Sequence, residues 1–347
     1  MGDYRIGAHG GTKVDGWSVG LGLTNLCNLG CKHCYSRGES PASLGLEDVR
    51  KIIEAFPVTA LNLGTGENGL HPNLADILDY LHDRSIKLSL TSNGYSVNVL
   101  DERRLRYFHD IDISIDFPTR GGHDEFRGAG AFDTAIRAIE RCLAAGVKTS
   151  VVACMMNTNY HMLPRFFPLI DHYGVNLRIN VYKPVRTNRF SLTYDEFWHG
   201  ITNLLLEGTV VACSEGVVNA VTGIPCPHQD GHCGSRSFRI RPDGQIVPCV
   251  YWPSVGITIS TLDDHRFSLG EAFGKTGIAC VPRQCLECEA FPLCKAGCAA
   301  RRFYHRLEEP DPYCAVVRGD DPGVKFRLAP SDDFVHAGYL CTIILGT

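Results

Sequence analysis

The sequence has no excess of positive charge and no long apolar run. Lys and Arg number 34 against 38 Asp and Glu, which gives a formal net charge of -4. A nucleic-acid-binding surface normally carries clustered Lys and Arg, so this class of partner is excluded. A membrane span needs about 20 apolar residues and a signal peptide a shorter apolar stretch, and neither pattern is present. We therefore predict a cytoplasmic protein that binds neither membranes nor nucleic acid.

Cysteine is abundant, yet the chain lacks the character of a disulfide scaffold. Such scaffolds are short secreted chains in which Cys exceeds roughly 8 to 10 per cent of residues. Here 16 cysteines are spread over 347 residues. In a reducing compartment, clustered thiols more often bind metal or perform redox chemistry than cross-link the chain. The cysteine clusters of this sequence are therefore candidate metal sites.

Short apolar runs alternate with helical patterns over about the first 180 residues, which predicts an α/β fold. Strands that alternate with helices are usually parallel and joined by right-handed crossovers. Six such units form either an incomplete βα barrel or a doubly wound sheet, and periodicity leaves both possibilities open. The predicted strands are 17–24, 58–63, 86–91, 111–116, 148–155 and 175–182, and the predicted helices are 46–56, 72–84, 132–146 and 193–208.

Three polar motifs follow the first three predicted strands. Three cysteines come after the first strand, the segment GTGE (64–67) comes after the second, and SNG (92–94) comes after the third. Chemistry in α/β sheets and barrels gathers at the carboxyl ends of the strands. The sequence therefore predicts a functional site at this edge of the sheet.

The three cysteines of the first motif are spaced Cys27-x3-Cys31-x2-Cys34. Four thiolates would complete a zinc site or an iron-sulfur cluster. Three thiolates on a four-iron cluster leave one iron without a protein ligand, and that iron could bind a substrate or cofactor. A zinc site whose fourth ligand is distant, or is His33, is the alternative.

A second group of cysteines lies in the C-terminal part, where Gly and Pro are frequent and helical periodicity is weak. Nine cysteines fall between Cys226 and Cys314, which suggests a small domain organised by metal. Iron-sulfur clusters or two structural zinc ions would both use such thiols. The predicted division is an N-terminal segment (1–16), a barrel (17–210), a cysteine-rich domain (211–320) and a C-terminal tail (321–347).

The segment CNLGCKHC, with His33 before the third cysteine, resembles the signature of the radical S-adenosylmethionine (radical SAM) superfamily. The resemblance implies a partial (βα)6 barrel and a four-iron cluster whose open iron binds S-adenosylmethionine (SAM). It also implies reductive cleavage of SAM to a 5'-deoxyadenosyl radical, which abstracts hydrogen from a substrate. An external electron donor such as flavodoxin or ferredoxin would supply the electron.

Further segments extend the resemblance residue by residue. GTGEN resembles the family's glycine-rich GGEP segment, although Thr65 replaces a glycine and Asn68 the proline. ISID and HDEFRGAGAF resemble stretches of peptide- and sugar-modifying members, although Ser114 and Arg127 by themselves could be an ordinary strand serine and a solvated arginine. By this resemblance Ser114 lies near the ribose and Arg127 pairs with the methionine carboxylate. The predicted cofactor-binding residues are His33, Gly66, Glu67, Ser92, Asn93, Ser114 and Arg127.

The C-terminal spacing resembles the seven-cysteine SPASM pattern found in radical SAM enzymes. The resemblance implies two auxiliary four-iron clusters, which makes three clusters in all. By this analogy the first is bound by Cys226, Cys233, Cys249 and Cys298, and the second by Cys285, Cys288, Cys294 and Cys314. The remaining thiols are predicted to be small buried apolar side chains; they are Cys142, Cys154, Cys213, Cys280 and Cys341.

Within the superfamily, the segment GWSVGLGLTNLCNLGCKHCY and the altered GTGE resemble cytosylglucuronate decarboxylases of nucleoside antibiotic biosynthesis. This resemblance implies a small-molecule uronic acid substrate, hydrogen abstraction beside its carboxylate and loss of carbon dioxide. Lys183 and Arg186, in the basic run 178–189, are candidates to bind that carboxylate, although such charges often form only a solvated loop.

Two other functions are kept as alternatives. One is a peptide or protein maturase that forms thioethers, cross-links or formylglycine, and the other is a non-catalytic metal protein. Only 26 residues precede Cys27, so we expect this chain to carry no N-terminal peptide-recognition domain.

Overall fold

The computed structural model describes residues 16–225, 233–264, 268–330 and 341–347. Its strands are β1 Trp17–Leu21, β2 Val58–Leu63, β3 Lys87–Ser92, β4 Phe108–Ser114, β5 Lys148–Met155, β6 Asn176–Val181, β7 Thr209–Cys213, β8 Ser237–Ile240, β9 Ile246–Val247, β10 Arg327–Leu328 and β11 Thr342–Gly346. Its α-helices are α1 Leu46–Ala55, α2 Leu74–His82, α3 Tyr95–Val99, α4 Glu102–Leu105, α5 Arg120–Arg127, α6 Ala131–Ala144, α7 Phe167–Tyr173, α8 Tyr194–Glu207, α9 Gly216–Thr222, α10 Leu269–Gly274, α11 Arg283–Leu286, α12 Phe291–Cys294, α13 Ala299–Phe303 and α14 Ala315–Arg318.

The strands form one sheet in the order β10-β7-β11-β6-β5-β4-β3-β2-β1-β8-β9. Strands β1 to β6 are neighbours in chain order and all parallel. A doubly wound sheet would reverse its strand order at a switch point, so this order identifies a barrel that has not closed. The predicted partial (βα)6 barrel is confirmed.

The six predicted strands are present with small changes at their ends. Strand β1 ends at Leu21 rather than at residue 24. The Gly22 amide still donates to the Ile240 carbonyl of β8 at 2.8 Å. The backbone then leaves the parallel ladder, because Thr24 forms an antiparallel bridge with Ser43. This departure directs the chain into the loop that carries the first three cysteines.

Helices α1, α2 and α6 bury one apolar face each, as their three- and four-residue spacing predicts. Helix α6 buries Ala135, Ala138 and Ile139. It also anchors the segment after β3, because the Arg141 guanidinium donates to the carbonyls of Val97 and Leu100 at 2.8 Å each. These contacts fix the segment that follows the carboxyl end of β3.

The sheet crosses the predicted domain boundaries. The C-terminal strand β11 lies between β6 and β7 and pairs antiparallel with both, while β8 pairs parallel with β1. The cysteine-rich part is therefore continuous with the barrel through backbone hydrogen bonds at both ends of the sheet. Within the described ranges, no helix has the length and apolar content to span a bilayer.

A buried ion-pair network ties the cysteine-rich part to the segment after β7. Arg301 Nη2 lies 2.7 Å from Glu215 Oε1 and 2.6 Å from Asp311 Oδ2, and all three side chains are buried. Asp311 Oδ2 also accepts a hydrogen bond from the backbone amide of Cys298 at 2.9 Å. The network thus fixes the position of one cysteine of the SPASM-like pattern.

We predict that Asp311→Ala lowers the free energy of unfolding by about 3 to 5 kcal/mol, because it leaves a buried guanidinium without one of its two acidic partners. Denaturant unfolding of the anaerobic protein measures the change. As a matched control, Asp263→Ala removes a carboxylate that is 73% exposed and pairs with Lys51 on the surface. Its effect is expected to stay within about 1 kcal/mol. Equal effects of the two substitutions would contradict the prediction.

Candidate functional site

A cavity of about 340 Å³ lies at the carboxyl ends of the parallel strands. Residues from the ends of β1 to β6 form one wall, and residues of the cysteine-rich part form the other. A cavity is therefore present at the edge of the sheet where the sequence predicts a functional site. Eight cysteines line this cavity: Cys27, Cys31, Cys34 and Cys154 from the barrel, Cys233, Cys249 and Cys298 from the later part, and Cys341 directly before β11.

The loop with the first three cysteines is held against the GTGE segment. The Glu67 amide donates to the Leu26 carbonyl at 2.7 Å. Gly66 has φ 61°, and a Cβ there would lie 2.3 Å from the Thr24 carbonyl oxygen, so only glycine permits this approach. Burial raises the pKa of Cys27 and, to about 11, that of Cys31. A buried thiolate in this loop needs a positive partner such as a metal.

Thr65, which stands where the family motif has a glycine, adopts φ 71°. This left-handed conformation costs roughly 1 to 2 kcal/mol for a residue with a Cβ. The Thr65 hydroxyl forms a 2.7 Å hydrogen bond with the hydroxyl of half-buried Tyr35, which offsets part of that cost. Thr65 therefore keeps the left-handed turn of the motif and adds a contact to Tyr35, the residue after Cys34.

Glu67 and Ser92, predicted to bind the cofactor, make their visible hydrogen bonds within the protein. The buried Glu67 carboxylate accepts from the Ser92 hydroxyl at 2.6 Å and from the Asn93 and Ser96 amides at 2.9 Å each. Asn93 in turn points its side-chain amide at Cys27, with Nδ2 3.7 Å from Sγ. These residues hold the loops after β2 and β3 and present a donor to one thiol.

The Arg127 side chain is only 11% exposed and forms an ion pair that no local sequence pattern indicated. Its Nε donates to Asp116 Oδ2 at 2.7 Å, and His33 Nε2 lies 3.5 Å from the same oxygen. Burial alone would raise the pKa of Asp116, but Arg127 and His33 lower it well below its usual range. Burial lowers the pKa of His33. Arg127 is therefore not a solvated arginine, and Asp116 orients it within the cavity.

The alternation I-D-I-S-I-D in residues 111–116 contains a signal for these positions. A strand places every second side chain on the same face, so Asp112, Ser114 and Asp116 share the cavity face. Ser114 lines the cavity, and Asp112 forms an ion pair with Arg178 of β6. The pattern was sufficient to place all three residues at the site.

Lys183 and Arg186 lie in different surroundings. Lys183 is buried and lines the main cavity, whereas Arg186 is exposed and lines only an adjoining cavity of about 310 Å³. Burial would lower the pKa of Lys183, but the nearby thiols of Cys298 and Cys341 raise it. Among the ion pairs of the described residues, none includes Lys183.

The later cysteines form two groups. Cys285, Cys288, Cys294 and Cys314 lie close enough to interact electrostatically. In the other group the thiol of Cys233 interacts electrostatically with those of Cys249 and Cys341, and the thiol of Cys341 with that of Cys298. Cys226 lies outside the described residues. Cys341 packs against the hydrophobic core and is also part of this thiol group.

The donor chemistry of these thiols fits iron-sulfur clusters, because each iron of a four-iron cluster can take one thiolate ligand. Within the part of the chain that the structure describes, no three His, Cys, Asp or Glu side chains stand around one point as a lone metal ion requires. The first three thiols share the cavity with Arg127 and the strand-end polar groups. A ligand bound to an open iron would therefore meet these groups.

A partial barrel with three thiols after its first strand and polar groups at the following strand ends is the arrangement of the radical SAM fold. Residues 21–169 match the model of the Radical SAM superfamily. This match implies a SAM-binding four-iron cluster. The solved structure "Native anSMEcpe with bound AdoMet" has the same fold, with a TM-score of 0.63 at 17% identity over 87% of this chain and 95% of that chain.

Two curated relatives match nearly the whole chain. Mycofactocin maturase MftC of Mycobacterium ulcerans (strain Agy99) is 28% identical over 344 residues, covering 91% of this chain and 92% of the relative. AdoMet-dependent heme synthase of Oleidesulfovibrio alaskensis (strain ATCC BAA-1058 / DSM 17464 / G20) is 28% identical over 366 residues, covering 88% and 92%. The resemblance to cytosylglucuronate decarboxylases finds no support in these comparisons.

We predict that joint replacement of Cys27, Cys31 and Cys34 by Ala removes about four irons from the anaerobically reconstituted protein. Cleavage of SAM to 5'-deoxyadenosine should be lost with them, because these thiols are the ligands implied for the SAM-binding cluster. Colorimetric iron analysis and liquid chromatography of the nucleoside measure the two effects. Cys142→Ala, which removes a buried thiol of α6 outside the cavity, serves as the control. Native iron content in the triple variant would refute the assignment.

We predict that Arg127→Lys weakens SAM binding roughly tenfold, about 1.4 kcal/mol. Lysine keeps a positive charge beside Asp116 but lacks the planar fork that pairs with a carboxylate. Iron content should not change, because no metal ligand is removed. Equilibrium dialysis measures the affinity, with Arg120→Lys, an exposed substitution on the same helix, as the control. An affinity equal to that of the control would mean that Arg127 does not contact SAM.

Proposed function

We propose that this chain is a radical SAM maturase that modifies a peptide or protein. The observation that carries the proposal is the similarity to the maturase MftC over 91% of this chain and 92% of the relative. An overlap of that extent takes in the cysteine-rich part as well as the barrel. The shared features therefore go beyond SAM cleavage. Thioether, cross-link and formylglycine formation are the candidate modifications.

The residues of the barrel support radical chemistry in the cavity. Cys27, Cys31 and Cys34 would hold a four-iron cluster that, with SAM bound, supplies a 5'-deoxyadenosyl radical for hydrogen abstraction. Arg127 lies near Cys31 and offers its guanidinium to the methionine carboxylate. Asp116 holds that guanidinium in place through Nε.

We also propose that the cysteine-rich part holds two auxiliary four-iron clusters, which gives about twelve irons in total. The grouping of Cys285, Cys288, Cys294 and Cys314 supports the second cluster. The thiols of Cys233, Cys249 and Cys298 on the cavity wall support the first. Flavodoxin or ferredoxin remains the predicted electron donor.

The adjoining cavity offers a substrate route to the reactive centre. It shares His33, Cys34 and Lys183 with the main cavity and extends to the exposed side chains of Lys32 and Arg186. A substrate that lay along this path would meet cations at the surface and the buried Lys183 amine at the inner end. A peptide segment with carboxylates suits this path electrostatically.

A uronic acid substrate is the second candidate, because Lys183 also suits a small-molecule carboxylate. In that reaction hydrogen is abstracted beside the carboxylate, loss of carbon dioxide leaves a radical anion, and one electron from the external donor and two protons complete the product. A heme synthase is also 28% identical to this chain, so relatives of this similarity include an enzyme whose named product is not a peptide. The two candidates share the radical step and differ in the molecule that enters the cavity.

A direct substrate comparison tests the proposal. The reduced, anaerobically reconstituted protein is incubated with SAM and either a precursor peptide encoded beside its gene or cytosylglucuronate. We expect the peptide to stimulate 5'-deoxyadenosine formation and to change in mass, and cytosylglucuronate to remain unchanged. Mass spectrometry of both substrates provides the measurement.

The variant that lacks Cys27, Cys31 and Cys34 is the control for radical-independent changes. Loss of carbon dioxide from cytosylglucuronate, with no change in the peptide, would replace the maturase proposal by the decarboxylase. Peptide modification at an equal rate by the triple variant would remove radical SAM chemistry from the explanation.

A further inference from the structure

Cys341 is held in position by the sheet. It directly precedes β11, which lies between β6 and β7. The next residue, Thr342, is buried; its amide donates to Ser214 Oγ at 3.1 Å and its hydroxyl donates to the Ile179 carbonyl at 3.0 Å. The backbone at the start of β11 is therefore fixed from both neighbouring strands, and the Cys341 thiol has a defined position.

The Cys341 thiol meets three others from separate parts of the chain. It interacts electrostatically with the thiols of Cys233 and Cys298, and the Cys233 thiol interacts with that of Cys249. All four line the main cavity. Four convergent thiols are the complete ligand set of a four-iron cluster, and cysteines placed only to fill the core need no such convergence.

The backbone of Cys341 is strained, with φ 53°. A residue with a Cβ in this left-handed conformation costs roughly 1 to 2 kcal/mol, and glycine would avoid the cost. Strained residues persist where the surrounding structure requires their side chain, and they cluster at functional sites. A thiol needed at this point accounts for a cysteine in a conformation that suits glycine.

Lys183 supplies a positive charge beside the same thiols. Its buried amine interacts electrostatically with Cys298 and Cys341 and lies 5.4 Å from the ring centroid of Tyr251. A buried cation is costly unless an anion lies near it. Four thiolates on a four-iron cluster carry net negative charge, so a cluster at this place would neutralise Lys183.

We propose that Cys341 is the fourth thiolate of the first auxiliary cluster, together with Cys233, Cys249 and Cys298. The C-terminal strand thereby supplies a cluster ligand from beyond the seven-cysteine SPASM pattern, and the cluster is closed without Cys226. Lys183 is the buried countercharge of this cluster. The inference goes beyond the proposed maturase function and does not depend on the identity of the substrate.

Iron analysis in the variant that lacks Cys27, Cys31 and Cys34 tests the ligand, because only auxiliary clusters remain there. That variant should bind about eight irons. Adding Cys341→Ala should lower the count to about four, or leave a cluster whose electron paramagnetic resonance spectrum shifts when cyanide is added as an external ligand. Adding Cys226→Ala should leave iron and spectrum unchanged. Cys280→Ala, at a half-buried thiol of neither group, is the matched control.

A conservative variant separates ligation from folding. Cys341→Ser offers an oxygen ligand and should keep about eight irons while shifting the reduction potential of one cluster. Circular dichroism checks that each variant is folded. Native iron, spectrum and cyanide response in the Ala variant would overturn the proposal, as would an unchanged potential in the Ser variant. Iron loss from Cys226→Ala with none from Cys341→Ala would overturn it as well.

Discussion

The buried carboxylate of Glu67 is the constraint on which the geometry of the site depends. A carboxylate removed from water costs several kcal/mol unless hydrogen bonds replace its hydration. Donors from Ser92, Asn93 and Ser96 provide them, and the Glu67 amide is bound to Leu26. The Glu67 carboxylate thus orders the segment after β3, and the backbone amide of the same residue attaches the cysteine loop after β1.

The C-terminal strand extends this dependence to the other wall of the cavity. Strand β11 fills the place beside β6 that a closed barrel would give to another parallel strand. Its antiparallel direction puts its first residues at the carboxyl end of β6, because antiparallel neighbours run in opposite senses. Cys341 therefore reaches the cavity edge as a consequence of strand direction, and β11 extends the open sheet beside β6.

Much of the fold followed from local pattern. The six strands of the barrel and the helices over 46–56 and 193–208 were predicted because alternation and helical spacing are properties of short segments. The edge position of the three cysteines followed from the parallel topology. The alternation in 111–116 also indicates that Asp116 lies on the same face as Ser114, although only Ser114 was predicted as a site residue.

Other features depend on contacts between distant segments, and no local pattern encodes them. The pairing of β11 with β6 joins residues more than 160 positions apart, such as Thr342 and Ile179. Cys341 has no spacing relation to the other cysteines, so it was assigned to the core by composition alone. The burial of Lys183 likewise depends on Tyr251 and on thiols from the C-terminal region. The positions of these residues could therefore not be predicted without the folded structure.

Two aromatic side chains connect the two thiol groups of the cavity. Tyr35, the residue after Cys34, contacts Tyr251 edge to face with ring centroids 5.4 Å apart, and Tyr251 lies two positions after Cys249. The Thr65 hydroxyl is hydrogen-bonded to the Tyr35 hydroxyl. Because aromatic pairs prefer a restricted set of geometries, this contact restricts the spacing of the two thiol groups. A molecule that binds between them would have to fit that spacing.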